Sequence, residues 1–94
     1  MKIELENSYK KDYKRALKQG LIGKNELAEL DKIIKALVAK QPLAPKHKDH
    51  ALNFDYKGCR DCHIKPDLVL IYRTSPDMLY LVRIGRHQDL FKGY

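Results

Sequence analysis

Long apolar runs are missing from this sequence. The longest uninterrupted one is Leu68 to Tyr72, far short of the roughly 20 residues a membrane-crossing helix needs. No membrane association is therefore expected. Cysteine is scarce, with two residues, and the opening MKIELENSYKKD has no apolar stretch that reads as a secretory signal. The expected location is cytoplasmic, where a disulfide is not anticipated. Acidic side chains are also in deficit: 12 Asp and Glu against 19 Lys and Arg leave a net charge of +7. A field of that sign draws polyanions and speeds encounters with them, although solubility alone would also account for it. With 44% hydrophobic and 33% charged residues, the composition is that of a globular domain rather than a disordered or fibrous chain. Its 94 residues suit one domain, 1–94, with a modest core.

What is present divides by periodicity. Residues 2 to 6, KIELE, alternate charged and apolar side chains and predict a half-buried strand. From Ser8 to Lys18, Tyr9, Tyr13, Ala16 and Leu17 fall at helical spacing, with Ser8 as N-cap and Gly20 as stop. The outer face of that helix carries Lys10, Lys11, Lys14, Arg15 and Lys18. Asn25 is a candidate cap for a second helix, in which Leu27, Leu30, Ile33, Ile34, Leu37 and Val38 recur until Pro42 forbids continuation. Residues 43 to 56 read as an ordered loop or partly extended segment. The last third predicts three strands, CRDCHIK, LVLIYRT and LYLVRIGR, separated by Pro66-Asp67 and Ser75-Pro76-Asp77. LVLIY, apolar throughout, reads as an interior strand buried on both faces. The expected fold is α+β, in the order β-α-α-β-β-β, with a mainly antiparallel sheet and both helices on one face.

Cys59-Arg60-Asp61-Cys62-His63 fits CxxCH literally. Haem attachment would require an exported chain and two thiols presented together, whereas residues three apart on a strand point to opposite faces. The same geometry argues against zinc held by His47, His50, Cys59 and Cys62, unless the cysteines form a turn. As a strand, residues 59 to 65 turn Cys62 and Ile64 inward and set Asp61, His63 and Lys65 in a polar row on the other face. On the last strand, Tyr80, Val82 and Ile84 are expected in the core, with Arg83 beside Asp61 and His63.

Near that row the chain places His50, Asp67, His87 and Phe91. Such a set could cleave RNA without a metal. One imidazole takes the 2′-hydroxyl proton, another protonates the leaving oxygen, an arginine stabilises the phosphorane-like charge, and an aromatic ring stacks on a base. Histidines on strands and loops are more often structural or solvated. From spacing alone, a non-catalytic RNA- or ribosome-binding module and a zinc-stabilised domain therefore stand beside the nuclease.

KDHAL at 48 to 52, GCRDCHIKPDLVLIYR at 58 to 73 and LVRIGRHQDLF at 81 to 91 resemble the YafQ branch of the RelE-like toxins. Those proteins are ribosome-associated mRNA interferases of bacterial type II toxin-antitoxin systems. SYKKDYKR at 8 to 15 and KQPL at 40 to 43 look like the family's opening strand and helix pair, less distinctively. The resemblance implies a RelE-like fold, mRNA cleavage in the ribosomal A site, no cofactor and a neutralising antitoxin, with operator DNA contacted only through that antitoxin. It further implies that His87 donates the proton to the leaving group, and that Asp67 and His50 share proton transfer and positioning. Arg83 is implied to bind phosphate and Phe91 to stack on a base, with His63 and Asp61 in support. Three positions depart from the family pattern. Arg86 stands where a small polar residue is common and could add a phosphate contact, Cys59 replaces a larger side chain, and His47 a frequent tyrosine.

Overall fold

The computed structural model describes residues 1–91. It contains β1 (Lys2–Leu5), α1 (Asn7–Lys18), α2 (Lys24–Val38), β2 (His50–Ala51), β3 (Arg60–Lys65), β4 (Leu68–Thr74), β5 (Met78–Gly85) and a single-turn α3 (His87–Leu90). Short 3₁₀ turns at Pro45–His47 and Phe54–Tyr56 flank β2. The α+β class and both N-terminal helices are as expected. β2 and the last helical turn are additions: two residues of strand show no period that a sequence pattern could register.

The sheet order is β1-β5-β4-β3-β2. β1 lies parallel to β5, with Ile3 opposite Leu79, and every other pairing is antiparallel. β4 is buried on both faces. Leu68, Leu70 and Tyr72 join Cys62, Ile64, Leu79 and Leu81 under the helices, where Tyr9, Ala16, Leu30, Ile33 and Leu37 meet them. Val69 and Ile71 face the other way, into a smaller cluster with Cys59, Leu90, Tyr56 and Val82.

Helix boundaries correct the sequence reading. α1 begins after Glu6, and Ser8 lies inside it; the Ser8 hydroxyl donates instead to the Val82 carbonyl at 2.6 Å. Gly20 does stop the helix: at φ +71° it lets its own N–H reach the Leu17 carbonyl and that of Leu21 reach Ala16. α2 starts after Gly23, not Asn25, because Glu26 reaches back to accept from the Gly23 N–H at 2.8 Å. It ends at Val38, well before Pro42, through the same closure with Lys40 at φ +56°.

β5 departs most from expectation. Leu79, Leu81 and Ile84 face the helices, whereas Tyr80 and Val82 do not join that core. The pairing with β4 shifts so that Tyr72 meets Leu81 and Ile71 meets Arg83, leaving Val82 as the extra residue of a bulge. That insertion reverses the alternation and returns Ile84 to the core. β1 ends at Leu5, and the edge of β5 beyond it is closed by α1. The Glu6 N–H donates to the Leu81 carbonyl, Ser8 to Val82, and the Asp12 carboxylate accepts from the Ile84 N–H at 3.2 Å.

Candidate active site

The strands position the predicted residues in rows. His50 on β2 faces Asp61 on β3, Asp61 faces Ile71 on β4, and Ile71 faces Arg83 on β5. Beyond the end of β5, Arg86 opens α3, which sets His87 and Phe91 one turn apart with ring centroids 4.5 Å from each other. His63 lies on the same side, its ring 6.4 Å from that of His87. A cavity of about 310 Å³ is lined by His50, Asp61, His87 and Phe91 together with Leu52 and Asn53.

The loop carrying His50 is fastened on two sides. Asp49 accepts from the Tyr72 hydroxyl at 2.6 Å and from Arg60 Nε at 3.2 Å. His47 is buried, with its Nδ1 2.7 Å from the His63 carbonyl and its Nε2 3.6 Å from Glu29, so it ties the loop to β3 and α2. The four zinc donors weighed on the sequence do not converge: Cys62 belongs to the core under the helices and Cys59 to the cluster on the opposite face. Burial raises both thiol pKa values.

Asp61, expected in a supporting role, is 1% exposed at the base of the cavity. It lies beneath His50, whose Nδ1 is 3.0 Å from the carboxylate. Desolvation raises its pKa, while His50, His63 and His87 pull the other way. Lys65 leaves the polar row at the irregularity after His63 and pairs with Glu26 of α2 at 3.6 Å. Asp67 is exposed in the turn between β3 and β4 and has no ion pair with a predicted site residue among the described residues. His63 Nδ1 is 3.3 Å from the Pro66 carbonyl at that turn.

Arg83 is also corrected. Its guanidinium turns from the His50 cavity and grips Asp12 of α1 with Nε at 2.5 Å and Nη2 at 3.1 Å, while Nη1 donates to the Tyr56 hydroxyl at 3.0 Å. Arg83 and Arg86 line a second cavity of about 250 Å³ between α1, β5 and α3. Arg86 itself is held by Asp89 at 2.9 Å. Tyr56, which the sequence reading passed over, touches one lining residue of each cavity, Arg83 and Phe91. Its hydroxyl bonds Arg83 and lies 3.3 Å from the Leu90 carbonyl, and its ring meets Phe91 edge-on at 5.7 Å. An aromatic in a lysine-rich loop was the one available signal.

Comparison with known proteins matches residues 1–92 to a family described as the bacterial toxin of type II toxin-antitoxin systems, YafQ. The mRNA interferase toxin YafQ of Escherichia coli K12 is 36% identical over 95% of this chain and 94% of its own. A crystal structure of a copper-bound mutant toxin from Helicobacter pylori superposes with a TM-score of 0.85 at 40% identity, covering 97% of this chain and 99% of that one. YafQ in the E. coli DinJ-YafQ toxin-antitoxin complex gives 0.80 at 36% identity, covering 95% and 94%. Among the described residues, no group of three or more His, Cys, Asp or Glu side chains is placed to hold a metal ion.

Proposed function

Because the chain belongs to the YafQ family of bacterial type II toxins, we propose that it is an mRNA interferase, an endoribonuclease that cuts translated mRNA in the ribosomal A site and is neutralised by a cognate antitoxin. The observation that carries the reading is the cavity shared by His50, Asp61, His87 and Phe91. It sets two exposed imidazoles, one above a buried carboxylate, next to an aromatic ring.

In the proposed reaction His50 removes the proton from the 2′-hydroxyl, and the Asp61 carboxylate balances the imidazolium that forms. The 2′-oxygen bonds to the adjacent phosphorus as the bond to the 5′-oxygen breaks. His87, protonated at the start, gives its proton to that leaving oxygen. Phe91 stacks on a base, and Arg83, lining the neighbouring cavity, holds a flanking phosphate of the message through its remaining donors. His63 supports His87 from one side, with its Nδ1 3.3 Å from the Pro66 carbonyl, and Asp67, exposed at that turn, takes the share in positioning that the family resemblance gives it. Arg86 adds positive potential along the message. No metal step is required, since the substrate supplies its own nucleophile.

The net charge of +7 suits a ribosomal or mRNA partner, and an antitoxin with an acidic segment suits the same surface. Such a protein works in the cytoplasm and meets operator DNA only through its antitoxin. Among the described residues, no helix is long and apolar enough to cross a membrane. The test is a translation reaction programmed with a defined message. Cleavage is expected on ribosome-bound mRNA, to be absent on naked mRNA, and to stop when the antitoxin encoded beside this gene is added. Ribosome occupancy without cleavage would instead favour the non-catalytic RNA- or ribosome-binding module.

A further inference from the structure

Asp12 is the most deeply buried carboxylate of the helical layer, 6% exposed, and it does not touch the His50 cavity. Both of its oxygens are committed to β5: Oδ1 accepts from Arg83 Nη2, and Oδ2 accepts from Arg83 Nε and from the Ile84 N–H. This is the side-on fork that fixes a guanidinium in plane as well as in place. The Tyr56 hydroxyl takes a third hydrogen bond, from Nη1. An arginine has five N–H donors, so two stay uncommitted among the described residues. The exposed Arg15 lies 3.8 Å from Asp12, too solvated to compete for it.

We propose that Asp12 and Tyr56 form a clamp that positions Arg83 for the message, so that a helix outside the cavity sets the phosphate contact. The inference rests on the proposed role of Arg83. An unclamped arginine samples many rotamers and must lose that freedom as the reaction proceeds, whereas a clamped one presents its two free donors in advance. The residue after Arg83 supports the clamp, because the Ile84 N–H donates to the same Asp12 carboxylate at 3.2 Å. Tyr56 connects the clamp to the stacking ring, since the same side chain contacts Phe91.

The experiment measures single-site cleavage of ribosome-bound mRNA by wild type, Asp12→Asn, Tyr56→Phe, Arg83→Gln and the two double variants with Arg83→Gln. Melting curves accompany each protein. Displacing a group that positions the reacting atoms can cost about 10²-fold; Asp12→Asn is expected to lower kcat by about 10- to 100-fold with KM for the programmed ribosome changed less than about three-fold. Tyr56→Phe is expected to show a smaller fall of the same kind. In the Arg83→Gln background both substitutions should change nothing further, because their effect passes through that arginine. If Arg83→Gln is slow yet Asp12→Asn and Tyr56→Phe cleave like wild type, or their losses multiply with that of Arg83→Gln, the clamp is wrong and the role of Arg83 stands. If Arg83→Gln cleaves like wild type, the role of Arg83 is wrong and the clamp falls with it. Should Asp12→Asn fail to fold, Tyr56→Phe decides by the same criteria.

Discussion

His50 Nδ1 lies 3.0 Å from the Asp61 carboxylate and 2.8 Å from the Lys48 carbonyl. That nitrogen carries at most one hydrogen, and the hydrogen-bond geometry assigns it to Lys48. Both Asp61 oxygens are buried without a hydrogen-bond partner among the described residues. Such a carboxylate is held against its own desolvation cost, which marks a group kept for what its charge does to a neighbour.

Asp61→Asn is expected to separate stability from activity. The folded carboxyl holds its proton more tightly than the unfolded one, since burial raises its pKa. Its stabilising contribution is therefore fully present below the unfolded value, near pH 4, and is lost as pH rises through the folded value. The variant should match wild type in Tm near pH 4 and exceed it toward neutrality, by about 4 °C if the relief is ~1 kcal/mol. Cleavage should fall by about 10-fold or more as the base loses its counter-charge. Thermal melts across pH with parallel rates check both; an unchanged rate would remove Asp61 from the mechanism.

His87→Ala is expected to fold normally and cleave poorly. His87 is exposed on the single turn after β5. Substitution at such a site shifts stability by about 0.5 kcal/mol or less, whereas loss of a general acid costs about 10² to 10⁴ in rate. Retained cleavage by the folded variant would exclude His87 as the acid.

Tyr72→Phe tests the fastening of the His50 loop. The Tyr72 hydroxyl donates to Asp49, the residue before His50, while Arg60 holds the same carboxylate from outside. Losing one such hydrogen bond costs about 1 kcal/mol. A Tm lower by about 4 to 8 °C is expected, with a fall of a few-fold in cleavage at temperatures where the protein stays folded. Calorimetry and single-turnover rates read the two effects separately.

Lys40→Gly is expected to stabilise the fold without touching the reaction. Lys40 sits at φ +56° where α2 closes, a conformation that glycine adopts freely. Relief of the left-handed conformation, about 1 to 2 kcal/mol, less the extra chain entropy that glycine loses, about 0.5 to 1 kcal/mol, leaves a net gain read as a higher denaturation midpoint at unchanged cleavage rate. A loss of stability would show that the lysine side chain contributes more than its backbone strain removes.

These residues show where sequence reading succeeds and where it stops. LVLIY was legible as a doubly buried strand because every position had to be apolar, and the alternation of Asp61, Cys62 and Ile64 separated the two faces correctly. Tyr80 and Val82 were misplaced because the bulge at Val82 arises from pairing with β4, which no local period encodes. Gly23 displaced Asn25 as helix cap through a reach by Glu26 that competes with any simple cap preference. Asp12 and Arg83 are far apart in sequence; helical spacing puts Asp12 on the buried face of α1 with Tyr9 and Ala16, but no local pattern names Arg83 as its partner. The resemblance at 48 to 52, 58 to 73 and 81 to 91 brought the candidate residues to notice; the structure divides them between two cavities and a turn.

The central claim is that the message supplies its own nucleophile. Ribosome-bound mRNA carrying a single 2′-deoxy sugar immediately 5′ of the cut, assayed beside the all-ribose message, tests it directly. The phosphate and bases stay available to Arg83 and Phe91, so binding should persist while cleavage at that bond disappears. The all-ribose message should yield a 2′,3′-cyclic phosphate, or the 3′-phosphate from its hydrolysis, upstream and a 5′-hydroxyl downstream. Cleavage at the deoxy position, or 5′-phosphate ends from the all-ribose message, would make water the nucleophile and contradict the roles given to His50 and His87.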